Sequence, residues 1–329
     1  MRVCILGAGA WGTALAIRLA SHHQIYLWGR DSALLTQMQA CGENKRYLPG
    51  LTLPPRVLLS STLSSALESA ELAIIATATI GLRPTLQRLQ PIIKQDFPVL
   101  WACKGLEATT GAFAHQIIET FIGERDYGLL TGPSFAREIA MGLPAALSLV
   151  ARRLSFAQHM ASALAVPKLR IYSSDDIIGA EIGGAAKNVI AIAAGVSDGL
   201  NLGNNARAAL ITRGIAEITR FGVAMGAQAR TFSGLSGLGD LVLTCTGELS
   251  RNRQVGLQLA LGKNLQEITA NLGHVSEGVN TAKQLLCRAQ QLGIVMPITE
   301  AICQLLFEGI PVTQVINHLL ERSSKDELA

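Results

Sequence analysis

The sequence has little excess charge of either sign and no long apolar run. Its 329 residues carry 28 Lys and Arg against 24 Asp and Glu, a formal net charge of +4, and no five like charges follow one another. A basic face that binds nucleic acid is therefore not expected. The apolar stretches fall short of the about 20 residues that a spanning helix needs, so we expect no membrane-inserted segment. Met1–Leu6 is strand-like and lacks the charged segment that opens a signal peptide.

Cysteine pairs are also missing. The six cysteines stand at positions 4, 41, 103, 245, 287 and 303, and no two form a Cys-x-x-Cys pair. A chain of this length with 49% hydrophobic residues does not need disulfides to hold a core. Apart from the adjacent His22 and His23, no spacing is typical of metal ligands. We expect free thiols in a reducing cytoplasm, and no metal.

The first half of the sequence alternates between short apolar runs and helical patterns. This alternation is typical of βαβ units, and it predicts an α/β domain with a mainly parallel sheet over residues 1–178. The predicted helices include Thr13–Ala20, Ser32–Gln39, Leu82–Lys94 and Phe113–Phe121. The predicted strands are Val3–Leu6, Gln24–Trp28, Leu72–Ala76, Val99–Ala102, Gly128–Leu130, Ala146–Val150 and Leu169–Tyr172.

From about residue 175 the strand patterns fade, and residues 179–329 are predicted to form an all-helical second domain. Glycines and prolines mark the expected helix ends: Gly262, Gly273, Gly293 and Gly309 as stops, Pro297 and Pro311 as starts. The predicted helices are Ile177–Val196, Asn205–Met225, Arg251–Leu261, Gly278–Leu292 and Ile298–Phe307. A cleft between two such domains would be the natural place for a ligand.

A glycine-rich turn, Gly7-Ala8-Gly9-Ala10-Trp11-Gly12, directly follows the first predicted strand and opens a helix. In a Rossmann-type fold the first glycine makes the tight turn, the second admits the pyrophosphate and the third allows helix and strand to pack closely. The strand–turn–helix context favours dinucleotide binding over a purely structural turn. Trp11 either covers the cofactor or shields the domain junction.

The second predicted strand ends in the segment Trp28-Gly29-Arg30-Asp31, about 20 residues beyond the glycines. An acidic residue here binds the ribose hydroxyls of NAD, whereas an arginine accommodates the 2′-phosphate of NADP. Because Arg30 comes first, the pattern tilts towards NADP without excluding NAD. Asp31 is also expected to cap the next helix.

Lys187 lies in a helix built mostly from Gly, Ala, Ile and Val. Its helical neighbours Gly183, Gly184 and Ala191 are small and leave room over the amine. A lysine in such surroundings can act as an acid or base, but the pattern alone favours a surface lysine that extends over a packed helix pair. Asp240, in a glycine-rich turn, either orients Lys187, accepts a substrate hydroxyl or only caps a helix or turn.

Two segments resemble anion sites. Thr131-Gly132-Pro133-Ser134 follows a predicted strand, and Ser250-Arg251-Asn252-Arg253 opens a predicted helix with Ser250 as its N-cap. A helix start that carries an arginine suits a phosphate monoester, although a capped, solvated helix start has the same pattern. Lys104, at the carboxyl edge of the predicted sheet, is a further candidate cation.

Several blocks of the sequence point together to one family. They are GAGAWGTALA (7–16), YLPG (47–50), KG (104–105), GPSFA (132–136), KNVIAIAAGVSDG (187–199), NNARAALITRG (204–214), GLSGLGDLVLTCTGELSRN (234–252) and VSEG (275–278). In these blocks and in their order, over the chain to about residue 310, the sequence resembles the bacterial type of NAD(P)-dependent glycerol-3-phosphate dehydrogenases. Cys103 departs from the threonine more often expected before Lys104 in this family.

The resemblance implies a reversible reduction of dihydroxyacetone phosphate to sn-glycerol 3-phosphate for glycerophospholipid synthesis, with NADP or NAD as cofactor, in a cytoplasmic homodimer. Lys187 becomes the catalytic acid/base. The implied substrate-binding residues are Lys104, Gly132, Ser134, Lys187, Asp240, Ser250, Arg251 and Asn252. The turn glycines Gly7, Gly9 and Gly12 join the implied cofactor-binding residues Trp11, Arg30, Lys104, Ala136, Arg251, Val275 and Glu277.

Two other interpretations stay open at this point. A 3-hydroxyacid or ketopantoate-type reductase would share the two-domain layout and a catalytic lysine, but would act on carboxylates. A catalytically silent NADP-binding sensor would share the nucleotide domain. The joint presence of Lys104, Lys187 and Asp240 argues against the sensor.

Overall fold

The computed structural model describes residues 1–123, 125–272 and 276–321, without the side chains of residues 271, 272 and 320. Within them the chain divides into two compact units. One consists of residues 1–104 and 113–177, the other of residues 105–112 and 178 onwards. The domain bounds 1–178 and 179–329 remain our proposal. They differ from this division at residues 105–112, which the proposal assigns to the first domain.

An eight-stranded sheet forms the first unit. Its order is β3-β2-β1-β4-β5-β6-β7-β8, and all neighbours are parallel except β6 and β7. The first six strands follow the order of dinucleotide-binding folds, which confirms the Rossmann-type prediction. The strands are β1 (Arg2–Leu6), β2 (Gln24–Trp28), β3 (Val57–Ser60), β4 (Leu72–Ile75), β5 (Val99–Trp101), β6 (Tyr127–Thr131), β7 (Ala145–Ala151) and β8 (Leu169–Ser174).

Seven strands occur where the sequence predicts them, whereas β3 is not predicted. It has four residues, lies at the sheet edge, and leaves Leu58 47% exposed. A short, half-exposed edge strand carries too weak an apolar pattern to be recognised. The helices of this unit are Ala10–Leu19, Ser32–Cys41, Leu63–Leu67, Leu82–Leu89, Ala114–Ile122, Ala136–Ala140 and Leu154–Ala163, with a 3₁₀ turn at Thr79–Gly81.

The described part of the second unit is built from helices, as predicted. Two of them are long: the lysine helix, Ile177–Gly199, and the arginine helix, Gly203–Ala224. The others are Asp240–Thr246, Arg251–Ala260, Leu265–Leu272, Glu277–Gln291, Pro297–Cys303 and Val312–Leu320. A 3₁₀ turn spans Ala229–Ser233, and π-helical turns span Leu235–Gly239 and Gln304–Glu308.

Some helix ends differ from the prediction. The helix from Leu82 ends at Leu89 rather than at residue 94, because Pro91 cannot continue it. The segment predicted as Ile298–Phe307 stops at Cys303 and continues as a π-helical turn. Gly262, Gly293 and Gly309 follow helices with positive φ, as expected of stops. Gly273 lies outside the described residues.

By length and composition, the lysine helix is the one helix among the described residues that could cross a membrane. It has 23 residues, and 94% of its most apolar window is buried within the folded chain. The buried core helix of a soluble protein also meets these length and composition criteria, because composition alone does not distinguish a buried helix from a membrane-spanning one.

Glycines let the lysine helix contact its neighbours backbone to backbone. A Cβ on Gly195 would overlap the carbonyl oxygen of Arg253, and a Cβ on Gly256 would overlap that of Ile192. The lysine helix and the helix Arg251–Ala260 therefore cross at a point that admits no side chain. This crossing fixes the start of the second helix relative to the first.

We predict that Gly256→Ala destabilises the protein by about 1–3 kcal/mol, because the added methyl forces the crossed helices apart. Urea unfolding followed by circular dichroism measures the change. Gly9→Ala is the control, since a Cβ there meets nothing within 4 Å. Equal stability of the two variants would show that the crossing is not tightly packed.

Candidate active site

The glycine turn begins where β1 ends. Gly7 has a φ of +128°, and a Cβ there would lie 2.9 Å from the Ala76 carbonyl oxygen; a Cβ on Gly12 would overlap the carbonyl of Gly7. A Cβ on Gly9 would meet nothing within 4 Å. Two glycines thus close the turn, and the third leaves open space at the start of the ten-residue helix Ala10–Leu19. A dinucleotide pyrophosphate fits this arrangement.

Asn44 supports the turn and is a residue that the sequence analysis missed. It is fully buried, and its Nδ2 donates hydrogen bonds to the Ala8 carbonyl at 3.0 Å and to Thr13 Oγ1 at 2.8 Å. Its Oδ1 accepts from the Tyr47 backbone N–H. Only the tertiary fold brings Asn44 to the turn, so a local pattern does not reveal it.

Arg30 and Asp31 follow the end of β2. Asp31 caps the helix Ser32–Cys41 as predicted, with Oδ1 accepting from the Leu34 N–H at 3.0 Å. Its second carboxylate oxygen pairs with Arg46 at 3.4 Å. Arg30 is exposed. Both oxygens of Asp31 therefore have protein partners, while the Arg30 guanidinium lies at the carboxyl end of its strand.

Three of the implied substrate residues meet at one carbonyl group in the first unit. Lys104 Nζ donates to the Gly132 carbonyl at 3.0 Å, and Ser134 Oγ donates to the same oxygen at 2.9 Å. Gly132 has a φ of +113°, which favours glycine. Ala136, an implied cofactor residue two positions after Ser134, begins the helix Ala136–Ala140. Trp11, in the first helix, is half-buried against the core.

Lys187 is buried, 7% exposed, so the surface-lysine interpretation is wrong. Its Nζ donates to Asp240 Oδ1 at 2.5 Å and to Thr244 Oγ1 at 2.8 Å. Thr244 in turn donates to the Asp240 backbone carbonyl at 2.6 Å. The ammonium group is thus held by a carboxylate that is itself only 1% exposed.

The π-helical turn Leu235–Gly239 delivers Asp240 to this position. A Cβ on Gly183 would overlap the Ser236 carbonyl oxygen, so the turn lies directly on the lysine helix, one helical turn before Lys187. π-helical turns of this kind are frequent at functional sites. Thr244 was missed by the sequence analysis, although its place four residues after Asp240 puts both on one helix face.

Cys245 follows Thr244 and is also buried. Burial raises the pKa of its thiol to about 12, while the positive charge of Lys187 acts in the opposite direction. The thiol therefore stays protonated at neutral pH and contributes no charge beside the lysine. All six cysteines are free, as predicted.

Ser250 caps the helix Arg251–Ala260, with its Oγ accepting from the Arg253 N–H at 3.2 Å, as predicted. Arg253 Nε then donates to Asp198 at 2.7 Å. Arg251 lies in the first position of the helix and is exposed. This helix start offers backbone N–H groups and a guanidinium group, the combination that suits a phosphate.

Asn252 connects three segments. Its Nδ2 donates to Asn188 Oδ1 at 2.9 Å, and its Oδ1 accepts from the Gly278 N–H at 3.0 Å and from Ser276 Oγ. Asn188 and Ser276 were not predicted as site residues. Each is adjacent in sequence to an implied site residue, Lys187 or Glu277, and this adjacency is the signal that could have found them. Glu277 begins the helix Glu277–Gln291. Val275 lies outside the described residues.

The described site residues form two groups, one in each unit. Within the described residues there is no cluster of three His, Cys, Asp or Glu side chains that could hold a metal ion. The first group comprises Gly7, Gly9, Trp11, Gly12, Arg30, Lys104, Gly132, Ser134 and Ala136; the second comprises Lys187, Asp240, Ser250, Arg251, Asn252 and Glu277.

A Rossmann-type unit that fits a dinucleotide, joined to a helical unit that buries a lysine–aspartate pair, defines a nicotinamide-dependent oxidoreductase. Two family models match the chain: the N-terminus of NAD-dependent glycerol-3-phosphate dehydrogenase over residues 2–157 and its C-terminus over residues 176–317. The chain belongs to this family.

Individual relatives resemble the chain over nearly its whole length. The glycerol-3-phosphate dehydrogenase [NAD(P)+] of Nitrosomonas eutropha is 53% identical over 98% of both chains, and that of Janthinobacterium sp. is 50% identical over 100% of both. Among solved structures, the glycerol-3-phosphate dehydrogenase of Coxiella burnetii superposes with a TM-score of 0.93 at 39% identity, covering 98% of this chain and 99% of the other.

We predict that Gly9→Ala weakens binding of NADPH and NADH at least tenfold, because its methyl group occupies the space left for the pyrophosphate. Quenching of tryptophan fluorescence or titration calorimetry measures the affinity. The matched variant Gly234→Ala also places a Cβ in ordinary backbone geometry, 3.3 Å from the Thr231 carbonyl, and lies outside the turn. If both variants bind the cofactors equally well, the turn does not hold the pyrophosphate.

Proposed function

We propose that this chain catalyses the reversible, NAD(P)H-dependent reduction of dihydroxyacetone phosphate to sn-glycerol 3-phosphate. The observation that carries the proposal is the buried Lys187 ammonium, held by Asp240 and Thr244 in a chain of the glycerol-3-phosphate dehydrogenase family. The relatives that share this name are about half identical to the chain over nearly its full length.

Lys187 is the proposed acid/base. When bound, the reduced nicotinamide supplies a hydride to the carbonyl carbon of the substrate. Negative charge then develops on the carbonyl oxygen, and an ammonium group both stabilises this charge and donates the proton. Asp240 and Thr244 accept two hydrogen bonds from Nζ and so restrict the orientation of the ammonium group. In the oxidation direction, neutral Lys187 would remove the C2 hydroxyl proton.

The substrate phosphate is proposed to bind at the helix start formed by Ser250, Arg251 and Asn252. The first backbone N–H groups of the helix and the Arg251 guanidinium provide the positive charge that a phosphate dianion needs. Binding energy from this remote group can hold the carbonyl carbon in place for reaction. Lys104, Gly132 and Ser134, which meet at the Gly132 carbonyl, are also proposed as substrate-binding residues.

The nucleotide is proposed to bind at Gly7, Gly9 and Gly12, with the other implied contacts at Trp11, Lys104, Ala136, Arg251, Val275 and Glu277. We also propose that NADPH is preferred over NADH. Both carboxylate oxygens of Asp31 have protein partners, while Arg30 is exposed at the end of β2. The Arg30 guanidinium can bind the 2′-phosphate of NADPH, whereas the Asp31 carboxylate already has protein partners and is less available for the ribose hydroxyls of NADH.

The same proposal includes the cellular setting. A glycerol-3-phosphate dehydrogenase supplies the backbone of glycerophospholipids, and we propose that this one does so in the cytoplasm as a homodimer. The chain lacks Cys-x-x-Cys pairs and has six free cysteines, which suits a reducing compartment. Sedimentation equilibrium of the purified chain tests the dimer; a single monomer mass at micromolar concentration would refute it.

The experiment that tests the activity follows NADPH and NADH absorbance after dihydroxyacetone phosphate is added to the purified chain. We expect oxidation of both, faster with NADPH. A panel of 2-ketoacids, ketopantoate included, is the control, and we expect no turnover with it. Turnover of a ketoacid in place of the triose phosphate would assign the chain to the carboxylate-reducing enzymes. Cofactor binding without any turnover would indicate a sensor.

We predict that Lys187→Ala lowers kcat by about 100- to 10,000-fold, the usual contribution of an acid/base, with cofactor affinity within about twofold of the parent. Stopped-flow kinetics and NADPH titration measure the two quantities. Lys263→Ala removes a part-buried lysine whose Nζ donates to Gln258 Oε1 in the same unit, and it should leave both quantities unchanged. A near-normal rate in Lys187→Ala would remove this residue from the mechanism.

A further inference from the structure

A cavity of about 800 Å³ lies in the helical unit, away from Lys187 and Asp240, neither of which lines it. Four segments form its wall: the end of the lysine helix, the arginine helix, residues 293–305 and the helix Val312–Leu320. Of the residues that line it, all but Ser197, Arg213, Glu217 and Arg220 are apolar or glycine. Cavities of this size, mostly apolar with a few polar groups, are typical of small-molecule sites.

The charged groups of the wall lie on one face of the arginine helix. Arg213 and Arg220 are seven residues apart, or about two helical turns, with Glu217 between them. Glu217 is 1% exposed, and its oxygens accept from the N–H groups of Ile298 and Thr299 and from Thr299 Oγ1. Its carboxylate therefore accepts hydrogen bonds at the start of a neighbouring helix, and Arg220 donates to the Val295 carbonyl at 3.4 Å. Two guanidinium groups against one carboxylate leave the wall with an excess of positive charge.

Ser197 is the second observation that points to a ligand. It lines the cavity from the lysine helix and is 7% exposed. Within the described residues its Oγ has no hydrogen-bond partner. Buried hydroxyl groups almost always have a partner, so an unpartnered one on a cavity wall indicates a polar group that enters from outside.

We propose that this cavity binds a single-chain amphiphile with an acidic head group, a linear alkanoate. The aliphatic wall takes the alkyl chain, whose transfer from water drives binding. The carboxylate accepts hydrogen bonds from Ser197 and pairs with Arg213 or Arg220. A purely apolar ligand would leave the Ser197 hydroxyl unpartnered, and a small anion would leave the aliphatic wall empty. This site does not depend on the proposed reaction.

Titration calorimetry with octanoate, decanoate and dodecanoate, each below its micelle concentration, tests the proposal on the full chain. We expect one site per chain and about fourfold tighter binding for each added CH₂, the fold-change that corresponds to about 0.8 kcal/mol. Decanol has the same chain as decanoate without the charge, and we expect it to bind at least tenfold more weakly. Binding that does not depend on chain length would overturn the proposal.

Two variant pairs locate the site. Ala209→Phe fills the cavity from an exposed position on the arginine helix, whereas Ala208→Phe adds the same group next to it, outside the lining. We expect only Ala209→Phe to abolish decanoate binding. The double variant Arg213→Gln/Arg220→Gln should weaken decanoate but not decanol, and Arg230→Gln, outside the cavity, should change neither.

Circular dichroism and urea unfolding of each variant show whether it is folded. If the parent binds no alkanoate and Ala209→Phe instead lowers the mass measured by sedimentation, the cavity is an interface between two copies of the chain, and the proposal is wrong. The reductase assay does not enter this outcome, so the two proposals fail separately.

Discussion

Moving the Lys187 ammonium out of water would cost several kcal/mol if the charge had no partner. Asp240, also buried, compensates the charge at 2.5 Å, and Thr244 accepts a second hydrogen bond. The pair is net neutral, and each member needs the other, because removing either one leaves an uncompensated charge in the interior. The packing of the helical unit must therefore bring these two residues, 53 positions apart in the sequence, to within hydrogen-bond distance of each other.

Glycine is the means by which the lysine helix meets this requirement. At Gly183 it contacts the backbone of the π-helical turn that precedes Asp240; at Gly195 it contacts the helix that begins with Arg251. A third contact comes from the other side, where a Cβ on Gly278 would lie 2.8 Å from the Asn188 carbonyl. Each contact places a different functional segment against one rigid helix. The small residues around Lys187 thus position partners, rather than only leaving room above the amine.

The sequence predicts the fold better than it predicts the site. Apolar runs bounded by turns identify seven strands, because buried strands of a parallel sheet are continuously hydrophobic. β3 escapes this test since it is short and half-exposed. In the site, Lys187 and Asp240 are recognisable as charged residues in apolar or glycine-rich segments. Asp31 and Ser250 are recognisable as N-caps from the helix-start pattern alone. Pattern alone favours the wrong environment for Lys187, since nothing local shows which helix face is covered.

Residues that act through distant partners carry little signal in a local sequence pattern. Asn44, Thr244 and Asn188 are ordinary polar residues until the fold places them beside the glycine turn, the lysine and Asn252. Family resemblance finds residues that contact ligands, and it selected Asn252. It does not show what the structure adds, namely that the Asn252 amide is used mainly to join protein segments.

That use has a chemical consequence. The Asn252 oxygen accepts from Ser276 and Gly278, and its nitrogen donates to Asn188, next to the proposed acid/base. One amide therefore connects the helix start proposed for the phosphate, the segment before Glu277 proposed for the nucleotide, and the lysine helix. An amide is required, because a carboxylate would lose the donor to Asn188 and an aliphatic side chain would leave three buried groups without partners. Substrate and cofactor contacts in this unit are thus held in register by hydrogen bonds that need not touch either ligand.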